Sequence, residues 1–346
     1  MARLRIAVAG AGLIGRAHVE RIAASAECQV AAIADPAAAV ADYAAGLDLP
    51  HYAGVEPMLD AVRPDGVVVA TPNVLHVPQA LAAISRGIPV LVEKPIADTV
   101  AEAERLVAAA ERAGVPLLVG HHRRHNPILA AARAALREGR LGRLATVTAL
   151  VQFLKPDPYF DTAWRREPGG GPVLINLIHA IDDLRFLVGE IAALQAFASN
   201  ALRGFPVEDS AVVNLRFANG ALGTITSSDS AAAPWSWELT SGEYAAYPQS
   251  REDCYLVAGT EGALAIPSLR TWRYDGERGW NRPLATGRLE VAPADPLVRQ
   301  LANFCAVIRG EAAPVVPGRD AMRTLAATVA IHEAARSGGV IRLEGG

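Results

Sequence analysis

The chain has 346 residues, about half of them apolar, and its 33 basic and 36 acidic side chains leave a formal net charge of −3. That length gives room for two domains, each with its own core. The near-balanced charge excludes a strong electrostatic footprint for nucleic acid or for an anionic membrane surface.

All but two of the basic residues are arginine, and the exceptions are Lys94 and Lys155. Part of that imbalance reflects genomic bias, so it argues for function only where a lysine survives. Cys28, Cys254 and Cys305 are far apart and lack metal-type spacing, so they read as buried thiols in a reducing compartment. The N-terminus starts basic, but its apolar run meets Gly10, Gly12 and Gly15 too soon for a secretory core segment. No apolar stretch approaches the roughly 18 to 20 residues that span a bilayer. A cytoplasmic protein is expected, with neither nucleic acid nor membrane as partner.

Through about residue 120, short apolar runs alternate with alanine-rich helical stretches. The predicted strands are 5–9, 30–34, 67–70, 90–92 and 117–119, and 76–86 and 99–113 read as helices between them. This alternation predicts an α/β domain, a doubly wound parallel sheet of the Rossmann type, over residues 1–122. A further helix falls near 127–138. The runs 144–153, 210–218, 221–227 and 254–258 are longer and more alternating, and Asn219-Gly220 between two of them signals a hairpin. Residues 123–346 therefore read as an α+β domain with a large, mostly antiparallel sheet. Helices are expected at 172–188, 296–309 and 320–335, the last of which could pack back on the first domain.

Gly10-Ala-Gly12-Leu13-Ile14-Gly15 follows the first strand and opens a helix. Gly10 permits the tight turn, Gly12 lets backbone N–H groups approach a pyrophosphate, and Gly15 lets the helix pack close to the sheet. The helix N-terminus adds unpaired donors and a partial positive charge. Asp35 ends the second strand 20 residues after Gly15, where its carboxylate can accept both ribose hydroxyls of NAD. It would repel a 2′-phosphate, and no arginine follows before Arg63, so NAD is expected over NADP.

Two further segments fall at the carboxyl ends of later strands, where open α/β sheets bind ligands. One is Thr71-Pro72-Asn73, followed by His76, and the other is Glu93-Lys94-Pro95. Thr71, Pro72, Asn73, His76, Glu93 and Lys94 are accordingly candidates for cofactor contact. Lys94 can donate to a substrate oxygen and stabilise charge developing there during hydride transfer. Further on, Asn176, His179 and Asp183 stand at i, i+3 and i+7 of a predicted helix, which puts them on one stripe. Periodicity alone leaves two readings open, a water-facing edge and a catalytic row.

The glycine motif, Thr-Pro-Asn with its following His, Glu-Lys-Pro, His121-His-Arg-Arg-His-Asn-Pro127 and Gly169-Gly-Gly-Pro-Val-Leu-Ile-Asn-Leu-Ile-His179-Ala-Ile-Asp182 occur in that order over nearly the whole chain. Together they resemble the glucose–fructose oxidoreductase, inositol dehydrogenase and MocA family. The resemblance implies NAD-dependent hydride transfer on a secondary alcohol of a sugar, polyol or cyclitol, with a carbohydrate-like small molecule as the partner. It also implies that the second-domain sheet is open-faced and forms the contact of a homodimer or homotetramer. The family's catalytic lysine maps onto Lys94 and its histidine onto His179, both at the reacting oxygen. Where many members carry an aspartate upstream of that histidine, this chain has Asn176, which would orient substrate or imidazole without adding charge. Asp182 or Asp183 could support the ring.

Arg123, in the stretch between the two halves, and Trp164 and Arg165, before the triglycine, are expected substrate contacts. Trp235 and Trp237 are read as a strand pair in the core, at a subunit contact or on a sugar. His121, His122 and His125 lack a completing cysteine or acid, so no metal is expected. The triglycine lacks the Lys-Ser/Thr of a P-loop. Two alternatives remain, NAD-assisted glycoside cleavage or epimerisation through transient oxidation, and a non-catalytic NAD-binding regulator.

Overall fold

The short runs of the first half are so dense in Val, Ile, Leu and Ala that both faces of the sheet they form must be covered. The computed structural model, which describes residues 2–343, shows that arrangement. In chain order the elements are β1 (Leu4–Ala9), α1 (Leu13–Ala24), β2 (Cys28–Ala34), α2 (Ala38–Gly46), β3 (His51–Tyr52), α3 (Val55–Val62), β4 (Gly66–Val69), α4 (Asn73–Ile84), β5 (Val90–Val92), α5 (Val100–Ala113) and β6 (Leu117–Val119). The strands form one all-parallel sheet in the order β3-β2-β1-β4-β5-β6. The order reverses between β1 and β4, and the loops leaving those two strands are the glycine motif and Thr71-Pro-Asn. Local signals agree with the fold. The Thr99 hydroxyl accepts from the Glu102 N–H to start α5, and Gly114 ends it with φ +64°.

The second half contains α6 (Pro127–Arg137), β7 (Leu144–Gln152), α7 (Ile178–Leu187), β8 (Ile191–Ser199), β9 (Ser210–Phe217), β10 (Leu222–Ser228), α8 (Trp237–Thr240), β11 (Tyr255–Gly259), β12 (Gly262–Ile266), β13 (Arg270–Arg273) and β14 (Ala285–Arg288). Then come α9 (Pro296–Ile308), α10 (Gly318–Ser337) and β15 (Ile341–Arg342). Nine strands form a sheet in the order β14-β13-β12-β11-β7-β10-β9-β8-β15, antiparallel except where β7 and β10 run parallel. The Asn219-Gly220 hairpin is present. Gly220 takes φ +89°, and Asn219 Oδ1 accepts from the Ala221 N–H. One face of this sheet, with Ala149, Tyr255, Ile225 and Val213, is buried in the same core as Leu177, Ile181 and Leu184. Cross-strand pairing puts Phe197 opposite Val212 and Leu256 opposite Thr148 on the other face. Phe197, Val212, Leu222 and Leu256 are exposed there.

The chain divides into two compact units. One comprises the residues up to His125 together with Ala294–Leu325, and the other comprises Asn126–Pro293 together with the residues from Ala326 on. α9 lies with the first unit because Leu301, Phe304, Cys305 and Val307 complete the core beneath β1 and β2. α10 is divided between the units after Leu325.

One expected element differs. Residues 172–188 are not a single α-helix, because a π-helical turn, Val173–Leu177, precedes α7. The run Gly169-Gly-Gly-Pro172 offers no side chain to cap an α-helix start, and the wider turn changes the spacing on which the Asn176–His179–Asp183 stripe was drawn. No helix among the described residues is long and apolar enough to cross a membrane.

Candidate active site

In the first unit the glycine turn is built as its chemistry requires. Gly10 has φ +83°, and a Cβ there would lie 2.6 Å from the Ala70 carbonyl oxygen. A Cβ on Gly15 would lie 2.0 Å from the Gly10 oxygen. A Cβ on Gly12 would meet nothing within 4 Å, and no side chain caps α1. The start of that helix therefore faces open space with donors available for phosphate.

Asp35 is partly exposed at the end of β2. Its Oδ2 accepts the Ala11 N–H at 2.9 Å and its Oδ1 the Ala37 N–H at 2.9 Å. Each oxygen keeps a second lone pair for a ribose hydroxyl. Leu13 (94 % exposed), Val74 (65 %) and Leu75 (41 %) are apolar side chains left open in the first turns of α1 and α4, and Ile14 packs on the core. Apolar surface beside uncapped helical N–H groups and an acid fits the rings, pyrophosphate and ribose of a dinucleotide.

Thr71, Pro72 and Asn73 start α4, with Pro72 at the cap position and Asn73 exposed. His76 is buried, and both its ring nitrogens face carbonyl oxygens. Nδ1 lies 2.8 Å from Pro95 and Nε2 lies 2.8 Å from Thr71. Burial pushes its pKa below the ordinary value, although both carbonyls pull the other way. Its ring thus ties the Thr-Pro-Asn loop to the Glu-Lys-Pro loop.

Glu93 is buried, with Oε1 2.8 Å from His18 Nε2 and Oε2 accepting the Lys94 N–H at 3.2 Å. Burial alone would raise its pKa, but the hydrogen bond and charge of His18, with the charges of His122 and Lys94, hold it below the usual carboxylate range. The carboxylate also explains Gly120, where a Cβ would sit 2.7 Å from Glu93 Oε2. Lys94 is half-buried directly after it. Arg123 is 3 % exposed. Arg124 pairs with Asp320. Burial, with the charges of His122, Arg299 and Arg124, pushes the His125 pKa down to about 4.

In the second unit, Asn176 (9 % exposed) sits on the π-turn and His179 (7 % exposed) in the first turn of α7. Asn176 Oδ1 is buried and has no hydrogen-bond partner among the described residues. Asp182 and Asp183 follow on α7, both buried, and Tyr255 Oη donates to Asp183 Oδ2 at 2.8 Å. Trp164 is 52 % exposed. The Arg165 guanidinium donates to the Tyr159 carbonyl and lies 3.9 Å from the centre of its ring. Asn126 caps α6 and donates to Glu243 Oε2 at 2.7 Å. The tryptophan pair is not on a strand. Trp237 opens α8, is 1 % exposed, stacks on Tyr255 and donates Nε1–H to Glu243, while Trp235 is 40 % exposed.

Sequence reasoning missed His18, Gly120, Glu208 and Tyr255. His18 carried a legible signal, because it lies on the buried stripe of α1 with Gly15, Val19 and Ile22, and a polar group there needs a buried partner. Among the described residues no three His, Cys, Asp or Glu side chains are grouped to hold a metal.

Comparison with known proteins agrees with this architecture. Residues 4–121 match the model of the Gfo/Idh/MocA oxidoreductase family with its NAD-binding Rossmann fold, and residues 129–265 match the Gfo/Idh/MocA C-terminal domain. The 1,5-anhydro-D-fructose reductase of Ensifer adhaerens is 32 % identical over 297 residues, 84 % of each chain. The inositol 2-dehydrogenase of Rhizobium meliloti (strain 1021) is 26 % identical over 331 residues, 93 % of this chain and 94 % of that one. Among solved structures, the WlbA dehydrogenase of Bordetella pertussis in complex with NADH and UDP-GlcNAcA superposes with a TM-score of 0.80 at 28 % identity, covering 99 % of both chains. With both halves matched and the dinucleotide cradle intact, this chain belongs to the Gfo/Idh/MocA family of NAD-binding oxidoreductases.

Proposed function

We propose that the enzyme transfers a hydride between a secondary alcohol of a sugar, polyol or cyclitol and NAD, with Lys94, His179 and Asn176 as its catalytic residues. The observation that carries this reading is the pairing of Asn176, whose buried amide oxygen has no hydrogen-bond partner among the described residues, with His179 three residues later at the start of α7. A buried acceptor of this kind costs about 1–3 kcal/mol unless something hydrogen-bonds to it, and a hydroxylated ligand supplies the donor.

Gly10, Gly12, Leu13, Ile14, Gly15, Asp35 and the Thr71–Asn73 loop would hold the dinucleotide. Bound NAD supplies the hydride acceptor. In the oxidative direction His179 takes the hydroxyl proton while the ammonium of Lys94 donates to the same oxygen as negative charge develops there. Asn176 accepts from a substrate hydroxyl and adds no charge. The alcohol thereby loses a proton from its oxygen and a hydride from its carbon to become a carbonyl, and reduction reverses each step. Relatives named for inositol and for 1,5-anhydro-D-fructose support a polyhydroxylated substrate.

The test is a panel of myo-inositol and D-apiose with NAD, and 1,5-anhydro-D-fructose with NADH, followed at 340 nm. Turnover with net change in NADH supports the reading. Conversion without net NADH points instead to transient oxidation, and no conversion of any member overturns the substrate class.

A further inference from the structure

The triglycine before the catalytic helix has no role in the mechanism above, yet two of its glycines are sterically required. A Cβ on Gly170 would lie 2.2 Å from the Trp164 carbonyl oxygen, and a Cβ on Gly171 would lie 2.2 Å from Glu208 Oε1. The space beside Gly171 is therefore taken by a carboxylate from a distant part of the same unit. Glu208 Oε1 accepts the Val173 N–H at 2.9 Å, and Glu208 Oε2 lies 3.2 Å from His332 Nε2 on α10.

A helix start leaves its first N–H groups without partners, and a side-chain oxygen from the preceding residues ordinarily accepts one of them. Gly169-Gly-Gly-Pro172 has no such oxygen, and Pro172 makes no side-chain cap. Glu208 provides the missing acceptor, and its negative charge suits the positive end of the helix. The loop presenting it is itself fixed. Asp209 Oδ2 accepts from the N–H groups of Leu202 and Arg203, and the Asp209 N–H donates to the Ser199 carbonyl. The Glu208 side chain is only 10 % exposed.

What begins at Val173 is the π-turn that carries Asn176, followed by the turn of α7 that carries His179. Isolated π-turns of this type are rare and less stable than α-helix, and occur often at functional sites. We propose that Glu208 is a positioning residue that acts through the Val173 N–H, holding the π-turn so that Asn176 and His179 keep their places, with His332 fixing the carboxylate and Gly171 leaving room for it.

This inference rests on the catalytic reading of Asn176 and His179, and the experiment separates the two. Glu208→Ala, Glu208→Asp, Glu208→Gln and Gly171→Ala would be compared with the parent by backbone hydrogen–deuterium exchange and by kcat and KM on the panel compound the parent turns over fastest. Glu208→Ala should speed exchange in residues 173–179 about tenfold or more, and strands β9 and β10 should be unchanged. It should lower kcat about tenfold or more with KM for NAD within about twofold. Glu208→Gln, which can still accept from Val173, should recover most of the rate, and Gly171→Ala should reproduce the Glu208→Ala loss. Should Glu208→Ala not fold, Glu208→Asp, one methylene shorter, should show the same effects in smaller degree.

Unchanged exchange in 173–179, or faster exchange with unchanged kcat, overturns the proposal. So does a Glu208→Gln variant as slow as Glu208→Ala. His179→Ala with the parent's kcat would instead overturn the catalytic reading, whatever the Glu208 variants do.

Discussion

Tyr255 Oη donates to Asp183 Oδ2 at 2.8 Å, four residues beyond His179 on the same helix, and both side chains are fully buried. A strand of the large sheet is thereby fastened to the helix that carries the histidine. The bond also meets part of the hydrogen-bond demand of a buried carboxylate, which is far costlier to leave unsatisfied than a neutral group.

Tyr255→Phe keeps the stack on Trp237 and removes only the hydroxyl. A hydrogen bond to a charged group contributes about 1.5–3 kcal/mol, so urea denaturation should show a loss of about 2 kcal/mol. Turnover should fall several-fold while KM for NAD, bound by the other unit, stays within about twofold. A variant as stable as the parent would show that this bond does not hold the helix.

Acid stability should depend on His125. Its folded pKa of about 4 lies below the ordinary 6.5 because it is buried among positive neighbours. Between those two values the unfolded chain takes up a proton that the folded chain refuses, so stability is full above about pH 6.5 and declines as pH falls toward 4. At 1.36 kcal/mol per unit the decline is at most about 3.4 kcal/mol. The depressed carboxylates Glu93 and Glu208 act at lower pH. Denaturation of the parent and His125→Gln at pH 7.5, 6 and 4.5 should show a shallower slope in the variant. Equal slopes would mean that His125 titrates normally.

Cofactor choice should turn on Asp35. Its carboxylate is braced by the Ala11 and Ala37 N–H groups, so it is already oriented before any ribose arrives. Asp35→Ala should reduce kcat/KM for NAD about 10- to 100-fold, the equivalent of one charge-assisted hydrogen bond. It should raise the relative use of NADP by removing the repulsion of a 2′-phosphate. Undiminished preference for NAD would place the discrimination elsewhere.

The open sheet face carries Phe197 and Val212 as a cross-strand pair, with Leu222 and Leu256 exposed on the same side. Asn214, Arg216 and Thr224 share this face, and large apolar side chains exposed among polar ones mark a surface suited to a protein contact. We propose a second copy of the chain as the cover. Light scattering should give a dimer or tetramer for the parent and a mass near the 36.3 kDa of one chain for a Phe197→Glu/Val212→Glu double variant. A monomeric parent would contradict the assignment.

Much of this was legible in the residues themselves. β5 and β6 fall where their apolar runs end, because a buried parallel strand must be continuously apolar. The glycine turn was legible because sterics allow little else at Gly10 and Gly15. The π-turn was not, because its cause lies in Glu208, some 35 residues further along the chain. No local pattern in 169–179 records a cap supplied from that distance. The surroundings of His76 were hidden for a similar reason, because the carbonyls of Thr71 and Pro95 that face its ring are brought together by two adjacent strands. The short β12–β15 strands lack long alternating runs and depend on pairing partners, a non-local property.

The most direct test measures turnover of the best panel substrate by Lys94→Ala and His179→Ala, with NAD affinity measured separately by calorimetry. Each variant should lose about 100-fold or more in kcat, with His179→Ala binding NAD within about threefold of the parent. If either variant turns over substrate at the parent's rate, the assignment of these two residues to the reacting oxygen is wrong.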